Sequence, residues 1–175
     1  ESNESDNEYS KTITVTVTAT ATPTATVTKT PTPTPTATVV LPNLTPYKPS
    51  GWSDKIVVST TTGTNIDSST IYTSDTVYVD WAAINNGDAN ISTTFYTKLY
   101  IDGSYKSSWN TSPPLNVNYY TSFTDYSIGQ LSAGAHTIKI VTDETGVISE
   151  SNESDNEYSK TITVTVTATA SQRRR

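Results

Sequence analysis

Eight oxygen-bearing side chains crowd one stretch near the end of this 175-residue chain: Asp143, Glu144, Glu150, Asn152, Glu153, Asp155, Asn156 and Glu157. Hard cations such as calcium take several oxygen ligands from carboxylates, amides and carbonyls. Asp143, Glu150, Asn152, Glu153 and Asp155 are therefore candidate calcium ligands. The stretch lacks the EF-hand order and its glycine. The same residue types also cap turns and bond backbone amides, so a purely local loop is the competing reading. Calcium is the only cofactor the sequence raises.

Other chemistry is scarce. The single histidine, His136, stands at the start of an apolar alternation and reads as an ordinary strand residue. The chain has no Cys, no Gly-x-Ser-x-Gly elbow, no phosphate-binding glycine loop and no Cys/His zinc spacing, so an enzyme is not expected. Tyr96 and Tyr100 fall on one face of an expected strand, two pleats apart, and could stack on sugar rings. Such aromatic rows also cover sheets or meet neighbours. The net charge is −6, and the only basic cluster is Arg173, Arg174 and Arg175, so nucleic acid is not an expected partner. No apolar run is long enough to span a bilayer. With no Met, the chain reads as processed or as a slice of something longer.

The elements that would position these residues are strands. Thr, Ser, Asn, Tyr and Val dominate, and Thr, Tyr and Val favour pleated structure. No segment has a convincing helical period. Alternation and turn signals predict strands at about 55–59, 70–73, 76–84, 92–102, 121–127, 135–142 and 158–168. Val77, Val79 and Trp81 share a face, as do Phe95, Leu99 and Ile101, and Ile138 and Ile140. Tyr158, Ile162, Val164 and Val166 line one side of the last strand. Asp102-Gly103 signals a hairpin turn. Two sheets with one dry face each make an all-β, immunoglobulin-like antiparallel sandwich of about seven strands over 41–170. Trp81 belongs in its core, with its indole needing a partner, and Trp52 and Trp109 fall near loops.

The segment ESNESDNEYSKTITVTVTATA fills residues 1–21 and returns letter for letter at 150–170. From Thr12 to Thr38 every even residue is Thr. The odd residues begin as Ile13, Val15 and Val17, which predicts an N-terminal strand, and then become Pro23, Pro31, Pro33 and Pro35. Proline removes a ladder donor, so 22–40 reads as an extended polyproline-like linker, reaching roughly 60 Å at about 3.1 Å per residue. Residues 171–175 form a basic tail. Thr/Pro alternation is also the composition of O-glycosylated stalks, which makes Thr32 and Thr34 candidate sites. Asn-x-Ser/Thr sequons stand at Asn3, Asn43, Asn90, Asn110 and Asn152, of which Asn43, Asn90 and Asn110 are candidate N-glycosylation sites.

Three stretches together carry a resemblance. VYVDWAAINNGDANISTTFYTKLYIDG holds a strand, an Asn-x-Gly turn and a strand ending in Asp-Gly. IGQLSAGAHTIKIVTD leads through Leu-x-x-Gly into a strand ending in Asp, and GVISESNESDNEYSKTITV is the most specific of the three. Over about 70–168 the chain resembles the CARDB family, the cell-adhesion-related domain found in bacteria and also in archaea. The resemblance implies an immunoglobulin-like or fibronectin-like sandwich, often in tandem, on secreted and surface proteins. It implies no catalytic residues.

The expected role is a structural subunit or tandem repeat of an extracellular stalk or filament, on the surface of a bacterium or archaeon. Its expected partners are copies of itself or adjacent repeats, with surface glycans as a further adhesive partner. Ile13, Val15 and Val17 would act with Ile162, Val164 and Val166 in strand exchange or in closing successive repeats. The alternative is a carbohydrate-binding module tethered by the Thr/Pro linker to a secreted enzyme.

Overall fold

A computed structural model describes residues 10–19 and 39–167. The chain divides into two units, Glu1–Ala37 and Thr38–Arg175. Thr32, Thr34 and Asn3, nearly all of the Thr/Pro linker, and the basic tail lie outside the described residues.

The second unit is a two-sheet β-sandwich with no helix among the described residues. Nine strands build it, rather than about seven: β1 (Leu44–Pro46), β2 (Ile56–Ser59), β3 (Ile71–Tyr72), β4 (Val77–Asn85), β5 (Phe95–Ile101), β6 (Ser104–Thr111), β7 (Tyr120–Gly129), β8 (Gly134–Thr142) and β9 (Glu157–Thr165). In the first sheet β4 pairs with β7 along one edge and with β2 and β1 along the other, all antiparallel. The second sheet runs β3-β9-β8-β5-β6, with β3 parallel to β9 over two residues only.

The expected alternations carry the core. Val77, Val79, Trp81 and Ala83 of β4 face Leu99 of β5, Ile138 and Ile140 of β8, and Ile162 and Val164 of β9. A smaller cluster of Leu44, Ile91, Phe95, Leu115 and Ile148 fills one end. Phe95 thus leaves the row it shares in sequence with Leu99 and seals that end instead. Trp81 is buried as expected, but its indole N–H finds no acceptor among the described residues.

Backbone devices fix the geometry. Asp102 and Gly103 both take positive φ, 48° and 78°, in the two-residue turn between β5 and β6, the conformation such hairpins need. Across from β4, the register with β7 steps between Val79↔Tyr126 and Trp81↔Phe123. Two β7 residues, Thr124 and Asp125, therefore face the single Asp80. The displaced Asp125 amide donates to Asp80 Oδ1 at 2.6 Å, so a carboxylate satisfies the donor that the bulge orphans. Burial raises the pKa of Asp80 above the usual carboxylate value.

Two strands lie outside the expected set. In β1 only Leu44 of its three residues is large and apolar, and Pro46 ends it. In β6, SYKSSWNT is polar because it is an edge strand, and Trp109 is the one large residue it turns inward. Trp109 meets Trp81 at 5.4 Å, Phe123 at 4.8 Å and Tyr126 at 4.9 Å between ring centroids. It closes the side of the sandwich between the β6 and β7 edges, so it is not a loop residue.

At the closing strand, β9 ends at Thr165, and Val166 is exposed rather than packed with Ile162 and Val164. The N-terminal strand expectation also changes. Residues 10–19 form no strand, and Ile13, Val15 and Val17 are 76, 79 and 89% exposed. Alternation makes a segment able to pair, but a strand exists only where a ladder partner is present.

Candidate functional site

The acidic segment lies between β8 and β9 and turns back over the start of β1. Asp143, at φ 48°, accepts hydrogen bonds from the Val147 amide at 3.1 Å and the Ile148 amide at 2.8 Å. Glu153 Oε1 accepts from the Glu150 amide at 2.8 Å, and Asn152 Oδ1 accepts from Ser154 N and Oγ. Asp155 Oδ2 accepts from Asn43 Nδ2 at 3.2 Å, while its Oδ1 is buried without a partner. Glu150 accepts from the Leu44 amide and from Asn156 Nδ2.

The five candidate calcium ligands do not share one site. Asp143 and Glu153 line a groove of about 300 Å³ with Glu144 and Glu157, and Glu150, Asn152 and Asp155 do not line it. Among the described residues, no group of three or more His, Cys, Asp or Glu side chains is placed to hold a metal ion. Asp143, Asn152 and Glu153 bind nearby backbone amides, whereas Glu150 and Asp155 reach Leu44 and Asn43, far away in the chain.

Asn43 is the centre of this contact. It is 5% exposed. Its amide nitrogen donates to Asn86 Oδ1 at 2.8 Å and to Asp155, and its Oδ1 accepts from the Asn152 amide at 3.0 Å and from Ser151 Oγ. The Asn43 backbone amide donates to Asn85 Oδ1. A glycan needs that amide nitrogen free and exposed, so the folded domain does not offer the Asn43 sequon. Asn90 and Asn110 are exposed. No sequence motif marks Asn43 as a hub, because its partners lie 42 to 112 residues away.

Glu150, like Asp143, is buried, at 6% exposure. Burial raises its pKa from 4.5 to about 7, with Glu153 and Asp143 adding repulsion and the Leu44 and Asn156 hydrogen bonds opposing it. The native state therefore holds this proton more tightly than the unfolded chain does. Stability contributed here is present below about pH 4.5 and is lost as pH rises towards 7, by about 3 kcal/mol in all. Glu150→Gln is expected to flatten that slope and raise stability at pH 8. Its Oε1 can still accept from Leu44 N, and its amide can donate to Asn156 Oδ1, now a buried orphan, once Asn156 turns over. Thermal melts at pH 4.5 and pH 8 read the effect. Equal pH slopes in the two proteins would refute it.

Lys160 was not singled out by its sequence context. It sits on the inward side of β9, with Nζ 2.7 Å from both Asp67 carboxylate oxygens, 3.1 Å from Asp54 and 2.8 Å from the Ile56 carbonyl. Tyr158 donates to Asp54 from two pleat positions earlier. The closing segment is thus tied to the domain at two places, Asn43–Leu44 through 150–155 and Asp54–Asp67 through 158–160.

His136 is buried and departs from an ordinary strand residue. Its Nδ1 lies 2.7 Å from Asp102 Oδ2, and its Nε2 lies 2.8 Å from the Ser132 carbonyl and 3.3 Å from Ser132 Oγ. The order Asp-His-Ser is that of a hydrolytic relay, but Nε2 is nearest a carbonyl, which only accepts. Both ring nitrogens therefore donate, and Ser132 is offered no base. The Asp102 hydrogen bond, helped by the Ser132 carbonyl, raises the His136 pKa. The ring ties the β5–β6 turn to the loop before β8.

Tyr96 and Tyr100 do share the outer face of β5. Tyr96 is exposed, but the Tyr100 hydroxyl donates to Glu144 at 2.6 Å. The Tyr100 ring lies under Lys139 Nζ, 5.6 Å from its centroid, and meets the edge of Tyr105. Lys98, between the two tyrosines, pairs with the same Glu144. One of the two stacking faces is already occupied.

Solved structures share this architecture. The CARDB domain of a Pyrococcus furiosus protein, crystallised in complex with di-metal ions, aligns at 17% identity and TM-score 0.56, covering 75% of this chain and all of that one. The solution structure of that domain aligns at 17% identity and TM-score 0.53, covering 73% of this chain and 98% of its own. No curated protein matches the chain. The CARDB family model matches residues 54–160, from the Asp54 that holds Lys160 to Lys160 itself. The chain belongs to the CARDB family.

Proposed function

We propose that this chain is a structural module of an extracellular stalk or filament, whose units are joined head-to-tail through the duplicated closing segment. One observation carries the reading. The sequence that forms the second part of the acidic loop and β9 of the sandwich occurs a second time, unchanged, in a segment whose Ile13, Val15 and Val17 are exposed. At the first two of these positions the second copy buries Ile162 and Val164 in the core. A closing segment has no use apart from a sandwich to close, so the first copy points to a further sandwich. Membership of a family of cell-surface β-domains supports the location. Among the described residues no helix is long and apolar enough to cross a membrane. The Thr/Pro linker would set the spacing between units.

Electron microscopy and sedimentation of the intact chain test the reading. Linear strings of beads that lengthen with concentration are expected, and Ile13→Asp with Val15→Asp should reduce them to single beads with an unchanged melting temperature. Single beads from the unmodified chain at every concentration would overturn it.

A further inference from the structure

From Glu150 onward, the repeated sequence binds the rest of the sandwich. Glu150 takes the Leu44 amide, the Ser151 amide donates to the Pro42 carbonyl at 2.9 Å, and Ser151 Oγ and the Asn152 amide donate to Asn43 Oδ1. Asp155 takes Asn43 Nδ2 through its carboxylate and Thr45 Oγ1 through its carbonyl. Tyr158 and Lys160 hold Asp54 and Asp67, and Ile162 and Val164 enter the core. Every one of these residues has its counterpart in the first copy: Glu1, Ser2, Asn3, Asp6, Tyr9, Lys11, Ile13 and Val15. The duplication therefore covers a whole docking unit, clamp and strand together, and not an apolar strand alone.

We propose that residues 1–17 of one copy of this chain close the sandwich of a second copy, entering between β3 and β8 in place of its 150–166, with Lys11 between Asp54 and Asp67 as the register key. This rests on the reading of residues 1–21 as a closing segment. The slot offers a specific check. A strand displaced by one residue turns its apolar row outward, and it also leaves two carboxylates without their cation. Thr12, Thr14 and Thr16 would fall where Thr161, Thr163 and Thr165 now face solvent. The tethered segment competes for the slot at a millimolar-scale effective concentration, so strings of the unmodified chain grow as its own concentration approaches that range. Closure by a second copy, once the tethered segment is displaced, remakes each contact named above.

Two measurements on the whole 175-residue chain test this. In the first, Ile162→Asp with Val164→Asp disables the tethered copy. The protein should fold with cooperative melting and sediment as an oligomer. A folded monomer would mean that the chain's own first copy fills the slot, and an unfolded chain would mean that nothing does. Either result overturns the proposal. In the second, Ile13→Asp and Val15→Asp are added, and a synthetic peptide of residues 1–18 is titrated in. The peptide should restore the near-ultraviolet signal of the buried tryptophans at one peptide per chain, and a peptide carrying Lys11→Glu should bind about 100-fold more weakly or worse. No restoration, or equal binding of the two peptides, overturns the proposal. Strings of beads without peptide closure would place the assembly contact elsewhere. Peptide closure without strings would leave the segment transferable but the stalk reading wrong.

Discussion

Gly87→Ala is expected to lower the stability of this domain by about 3 kcal/mol or more, with the damage beginning at β1. A Cβ at Gly87 would lie 2.4 Å from Asn43 N, 2.4 Å from the Pro42 carbonyl carbon and 2.6 Å from the Leu41 carbonyl oxygen. All three are backbone atoms, so no side chain can swing aside. The chain is pinned on both sides of the contact, since the Asn86 amide donates to the Asn43 carbonyl and the Asp88 amide to the Leu41 carbonyl, each at 2.9 Å. Relief must come from moving residues 41–46 away. That breaks the three-residue β1–β4 ladder, uncovers Leu44 and takes the Leu44 amide from Glu150. For a domain of this size the loss corresponds to roughly 10 °C in melting temperature. Limited proteolysis should cut near residues 39–47 before the rest of the sandwich opens. A shift under about 3 °C without new cleavage would show that the turn yields at little cost.

The asparagine-glycine turn was visible in sequence, but not what the glycine is for. Turn signals report local backbone needs, and Gly87 answers a contact with residues more than forty positions earlier. The same divide runs through the molecule. The strands β5, β8 and β9 were legible because burial alternates along most of their length, and β4 because Val77, Val79 and Trp81 recur at every second position although its other face is covered too. Strand β6 was not, because an edge strand that is mostly in water has no dry face to print. Its single inward residue, Trp109, cannot make a period. Asp102-Gly103 was legible because two positive φ values in succession demand such residues.

The acidic segment shows why composition alone could not assign it. Carboxylates gathered in sequence are the raw material of a cation site, yet ligation requires that they converge. Here Asp143 folds back on Val147 and Ile148, Glu150 points at Leu44, and Asp155 at Asn43. The contacts of Glu150 and Asp155 depend on the position of β1 and the residue before it, over a hundred residues away in the chain. Asn43 fails as a glycan acceptor for the same reason. The sequon is a three-residue property, whereas its burial belongs to the assembled sandwich.

Lys160→Met is expected to cost about 2–3 kcal/mol, and pairing it with Asp67→Asn should return part of that loss. Taking one member from a buried ion pair leaves the other charge desolvated, which is worth about 3–5 kcal/mol when burial is complete. The side chains of Lys160, Asp67 and Asp54 are 16, 29 and 26% exposed, so solvent softens the penalty and the lower figure applies. The pH dependence carries a matching sign. Burial pushes the Asp54 carboxyl up, but the hydrogen bonds from Lys160, the Lys55 amide and Tyr158 outweigh it and hold its pKa below 3.8. Stability from Asp54 is therefore present above that value and lost as pH falls below it. With Met at 160 the largest of those opposing hydrogen bonds is gone, so the acid limb of the stability profile should move to higher pH. Melting curves from pH 2.5 to 6 for the parent, Lys160→Met, Asp67→Asn and the double variant form a closed cycle. Additive losses would show that the cation and the carboxylates do not act together. Partial rescue in the double variant would show that the closing strand is held in register by charge as well as by Ile162 and Val164. A lysine on the dry side of a strand then has a physical reason. Apolar side chains of similar size tolerate a neighbouring slot, and an ion that must find two carboxylates does not.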